Sequence, residues 1–175
     1  MNTDGLLKVA IMKVKFRDGA ELVLLLEEKT AIDKALAVEI AIACAEHVLP
    51  KPKTVNFKAH RAVEAAKRWL ANPTPRNAKM ARDCGFSSVP SLYPDPSAFY
   101  AADAAGAPDA DKAIVLAANG VYCGMNRGGV GEKRWQIRKV LEIVRRIDPA
   151  IDVKLKHNLP KEFEQSPEKA WLDSD

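Results

Sequence analysis

The chain has 175 residues and a formal net charge of +4, with 47% hydrophobic and 29% charged side chains, the proportions of a soluble globular domain. Apolar runs such as Leu22–Leu26 fall far short of the ~18 residues of a membrane span, and no export signal is visible at the N-terminus. Three cysteines form no disulfide framework and fit a reducing compartment, so secreted, membrane-spanning, collagenous and mostly disordered classes are excluded and a cytoplasmic protein is expected.

Val9–Phe16 and Glu21–Leu26 are apolar-rich runs around Arg17-Asp18-Gly19, a turn signal that predicts a short N-terminal strand pair. The leucines of the second run leave a helical start as the alternative. Thr30 is the N-cap candidate of the next element, with Asp33 at its third position. From there to Leu49 a helix is apolar nearly all round, which belongs in the middle of a bundle. Pro50 and Pro52 stop it. Asn56 is placed to cap a second helix through Ala71, with Val63, Ala66, Trp69 and Leu70 inward and Lys58, Arg61, Lys67 and Arg68 outward.

Pro75 suits the first turn of a short helix running to Cys84, closed by Gly85. Prolines and serines make 86–97 irregular, a loop packed down by its own aromatics. Alanine-rich helices follow at 97–105 and from Asp109 to Met125, the latter carrying Ile114, Val115, Val121 and Tyr122. Gly124–Gly131 is a glycine-rich break, and Glu132–Ile147 a strongly amphipathic basic helix. The fold expected is mainly α: a single bundle of about five to seven helices, with 1–29 an extension, 30–148 the helical domain and 149–175 a polar tail.

Charge is segregated along this order. Residues 51–82 carry +8 and residues 127–146 carry +5, alternating with acidic segments at 1–50, 83–126 and 147–175. If the basic blocks share a face they draw anionic partners; otherwise they pair with the acidic blocks. Arg134, Arg138 and Lys139 with Trp135, together with Arg61 and Arg68, are the candidate partner-binding residues. On nucleic acid the cations would meet phosphates and Trp135 would stack on an unpaired base.

No catalytic, cofactor or metal set assembles. The glycine stretch before Glu132 fails as a phosphate cradle, because Asn126 stands where its first glycine belongs and Glu132 where its lysine belongs. Cys44 and His47 lie one helical turn apart, but no further ligand of the right spacing accompanies them, and core packing is the simpler reading.

Ala43-Cys44-Ala45-Glu46-His47-Val48-Leu49-Pro50, followed by His60-Arg61-Ala62-Val63-Glu64-Ala65-Ala66-Lys67-Arg68-Trp69-Leu70, resembles the opening of the bacterial helical immunity protein family. That family joins a Cys-Ala-Glu-x-Val-Leu-Pro helix end to an Arg-Pro-Arg-x-Ala-Ile-Glu-Ala-Ala-x-x-Trp helix. Lys58-Ala59-His60 departs from the Arg-Pro-Arg. The resemblance implies a small non-enzymatic protein that neutralises a partner, such as a toxin, by binding it. A nucleic-acid-associated protein using the basic helices at 51–82 and 132–147 is the alternative expectation.

Overall fold

Among the described residues, four helices begin on a side chain that accepts from the backbone one turn on, each such cap stabilising its helix by ~1 kcal/mol. Asp18 accepts from Glu21 N at 2.9 Å, Asp33 from Leu36 N at 2.8 Å, Thr74 from Asn77 N at 3.2 Å and Asp109 from Lys112 N at 2.8 Å. The computed structural model describes residues 18–49, 57–85, 96–156 and 158, with 125–130 described by backbone alone. Its elements are α1 (Gly19–Lys29), α2 (Lys34–Val48), α3 (Phe57–Ala71), α4 (Pro75–Asp83), α5 (Pro96–Gly106), α6 (Ala110–Arg145) and α7 (Ile151–Leu155). Every regular element among the described residues is helical, so the mainly α bundle is the fold.

Several expectations change. Glu21–Leu26 is not a strand: the leucines continue a helix that starts on Asp18, the residue read as a turn. Val9–Phe16, its expected partner, lies outside the described residues. Thr30 closes α1, its N–H donating to Leu26 O at 2.9 Å, and Asp33 takes the N-cap of α2 instead. Residues 19–29 are not an extension, because α1 buries Leu22, Val23, Leu25 and Leu26 in the common core. Likewise Ile151, Leu155 and Asn158 of the expected polar tail are buried. The expected stops at Pro50 and Pro52, the Asn56 cap and the aromatic packing of the loop before Pro96 lie outside the described residues.

α2 is the axis of the bundle. Leu36, Ala37, Val38, Ile40, Ala41, Ile42, Cys44 and Ala45 are all buried on it, against α3, α5 and α6. α5 is likewise enclosed by α2, α3, α4 and α6, and its Ala98, Ala101, Ala102, Ala104 and Ala105 let these backbones approach.

α6 holds 36 residues, and it cannot be straight. Fifteen residues of straight helix rise ~22 Å, yet Gln136 Nε2 donates to Val121 O at 3.1 Å. A Cβ on Gly19 would lie 2.9 Å from Val121 Cγ1 and 3.1 Å from Gln136 Cβ, so α1 starts against both. The helix folds back between Val121 and Gln136, the interval containing Gly124, Gly128, Gly129 and Gly131. Its two arms enclose α2. The first runs alongside α2, from the Lys34 end, where Lys34 Nζ donates to Ala107 O at 2.5 Å, to Gly124 beside Val48. The second returns antiparallel, pairing Glu132 with His47 and Arg146 with Glu39. The chain thus reverses within the expected break, but through helical backbone rather than a loop. Val115 and Tyr122 face outward at 44% and 51% exposure, because the first arm's core stripe is Ala113, Ile114, Ala117, Ala118 and Val121.

Glycine has opposite meanings at two positions. At Gly106 a Cβ would sit 2.8 Å from Arg82 Cβ and 3.0 Å from Arg82 backbone atoms, so α4 and α5 touch through it. Gly106→Ala is expected to cost about 1–3 kcal/mol in urea denaturation. A Cβ on Gly131 meets nothing within 4 Å. Gly131→Ala is therefore expected to gain about 0.5–1 kcal/mol, by removing glycine's backbone freedom from a helix.

Candidate functional site

The two basic blocks have different fates. α2 and α5 lie between α3 and α6, so the blocks do not pack helix to helix. In the second block Lys139 pairs with Glu142 at 2.7 Å, Arg145 grips Asp152 through two hydrogen bonds of 2.9 and 2.8 Å, and Arg146 pairs with Glu39. Trp135 does not stand free for a base: its ring stacks on His47, centroids 3.5 Å apart and planes 9° from parallel. Arg134 is exposed and Arg138 half-buried on the same arm.

Inside the α6 fold-back lies a polar cluster. His47 Nδ1 and Glu132 Oε2 are 2.6 Å apart, with the glutamate side chain 4% exposed and the histidine 39%. Glu132 Oε1 and the Oε1 of fully buried Gln136, one turn on, have no hydrogen-bond partner among the described residues. Cys44, one turn before His47, is 1% exposed. Burial, with the nearby Glu132 charge adding, pushes its thiol up to about 12, so it is protonated and no nucleophile at neutral pH. Among the described residues no group of three His, Cys, Asp or Glu side chains could hold a metal ion. With an aromatic disulfide reagent at pH 8, Cys84 is expected to react before the others in the native protein and Cys44 only on unfolding; modification of native Cys44 at the rate of Cys84 would contradict this packing.

The first basic block places two arginines around a concavity. Lys67 bridges Glu46 at 2.5 Å and Glu64 at 3.1 Å, tying α3 to the last turn of α2, and Lys79 pairs with Asp83 at 2.7 Å. Arg61 and Arg68 have no carboxylate partner among the described residues; the Arg61 guanidinium carbon lies 5.8 Å from the centre of the Phe57 ring. Both line a groove of about 300 Å³ between α3 and α4. α3 supplies Phe57, His60, Arg61, Glu64, Ala65 and Arg68, and α4 supplies Met80 and Cys84. Phe57 is 75% exposed and Met80 36%.

The groove side of α3 thus carries the exposed residues 57, 61, 64 and 68, with buried Ala65 between them, while Ala59, Ala62, Val63, Ala66 and Trp69 are buried on the core side. Of the six residues selected from the sequence, the structure brings Arg61 and Arg68 into one groove and places Trp135, Arg134, Arg138 and Lys139 elsewhere. Phe57 and Met80 were missed. Their signal was available for Phe57: an aromatic one turn before Arg61, on the charged side of an amphipathic helix. Comparison with protein-family models, curated proteins and solved structures gave no match.

Proposed function

We propose that this chain is a non-enzymatic binding protein that neutralises a partner protein by occlusion, the immunity-like role that its sequence resemblance implies, and that it docks through the α3–α4 groove. The carrying observation is an exposed apolar pair, Phe57 and Met80, beside two arginines without carboxylate partners among the described residues. An aromatic anchor with flanking guanidinium groups is the composition that dominates protein interfaces. Nucleic acid is less well served. Glu64 lines the groove, where it repels phosphate, and three cations of the second basic block are already paired.

The test is affinity capture from the native cell's lysate with nuclease present, at low and high salt, comparing the wild type with Arg61→Glu/Arg68→Glu. A stoichiometric protein held by the wild type and lost in the double variant is expected. Capture of a protein equally by both would move the docking surface elsewhere, and nucleic acid released by salt would replace the reading.

A further inference from the structure

We infer that the groove takes an acidic amphipathic helix presenting two carboxylates seven residues apart, an inference that rests on the groove being the docking surface. Arg61 and Arg68 are separated by seven residues on one face of α3, a rise of ~10.5 Å. Carboxylates at i and i+7 of an incoming helix have the same spacing on one face, so each meets one guanidinium. An extended strand cannot match this. Its residues on one face repeat at ~6.8 and ~13.6 Å, and the pair at ~10 Å points to opposite sides.

The space between the arginines suits an apolar side chain. Ala65 lies between them on the same stripe and is buried, giving a methyl-sized floor, with Met80 and Cys84 as the far wall and Phe57 beyond Arg61. A volume of about 300 Å³ lies at the lower end of the range of small-molecule pockets. It holds the leucine or methionine that such a helix carries at i+3 or i+4. Laid along α3 and α4, the ligand completes a third helix on this layer, the helix-in-groove mode of recognition. Glu64, held by Lys67, sits at the same edge and opposes a ligand of uniform negative charge, which selects spaced carboxylates over a phosphate backbone.

The experiment uses the full chain and two fluorescein-labelled, hydrocarbon-stapled peptides of identical composition. One carries glutamates at i and i+7 with leucines at i+3 and i+4; in the other the second glutamate is moved to i+5. Anisotropy titration is expected to show the first binding about tenfold more tightly. Arg61→Ala and Arg68→Ala are each expected to weaken it about threefold and together about tenfold, as exposed ion pairs allow, whereas Arg134→Ala leaves it unchanged. Far-UV circular dichroism checks that the variants fold.

Equal binding of the two peptides, or indifference to the double variant, overturns the inference. So does a labelled single-stranded oligonucleotide that binds more tightly than either peptide, needs the same arginines and loses affinity steeply with salt. If neither peptide binds while lysate capture still requires Arg61 and Arg68, the helix inference falls and the docking reading stands; if capture ignores them too, both fall.

Discussion

His47→Ala is expected to lower stability by about 2–3 kcal/mol, and adding Glu132→Met is expected to restore most of the loss. The reason lies in the asymmetry of buried charge. Glu132 is 4% exposed on its side chain, and its Oε2 faces His47 Nδ1 at 2.6 Å. Removing one partner of a buried pair costs more than the pair contributes, because the survivor is left desolvated and uncompensated. His47 is more than a third exposed, which places the figure below the 3–5 kcal/mol typical of fully buried pairs. Loss of the ring stacked on Trp135 contributes to the same figure. Methionine at 132 keeps similar volume and removes both the charge and the orphaned Oε1, so the double variant recovers all but the stacking loss. Urea denaturation of the single variants and the pair closes the cycle. A double variant no more stable than His47→Ala would show that the glutamate does not depend on the histidine.

That pair also marks where the sequence stops being legible. Proline and aspartate signals are local, so Pro75 marks the start of α4 and Asp109 that of α6, whereas Thr30, read as a cap, instead closes the helix before it. The nearly all-apolar surface of α2 likewise indicates its central position before any contact is known. The N-terminal run misleads because a leucine-rich stretch beside a turn signal satisfies strand and helix alike, and packing against α6 decides. Cys44 and His47 are visible as one turn of one helix, but the partner of His47 is 85 residues away. Its trace was an anomaly, a lone glutamate between glycines and a basic helix. Charge counting separates the basic blocks without saying which cations remain unpaired. That depends on Asp152 and Glu39 reaching Arg145 and Arg146, and on no carboxylate among the described residues reaching Arg61 and Arg68.

Trp69→Ala is expected to be the most damaging single change, at about 3–5 kcal/mol, with Trp69→Phe costing about 1–2 kcal/mol. Trp69 is 7% exposed on α3, and Lys34 Nζ, from the first turn of α2, lies 4.3 Å from the centre of its ring. The same ammonium donates to Ala107 O, while Arg82 donates to Gly106 O at 2.6 and 3.2 Å. Two cations therefore close the C-terminus of α5, where the helix dipole favours them, although they repel each other. Burial first and the Arg82 charge second hold Lys34 below the usual lysine range. The indole face offsets part of that cost. Truncation to alanine thus opens a cavity and removes the surface that steadies Lys34, whereas phenylalanine keeps a face and leaves a smaller void. A Trp69→Ala/Lys34→Gln cycle is expected to show a coupling of about 1 kcal/mol. The pH dependence has a fixed sign. Just below the ordinary lysine range the folded state binds fewer protons at Lys34 than the unfolded state, so this residue makes stability rise with pH there. Lys34→Gln should flatten that rise in thermal melts between neutral pH and the lysine range. An unchanged slope, or a Trp69→Ala loss below about 1 kcal/mol, would mean that α2, α3 and α5 are not joined through this tryptophan.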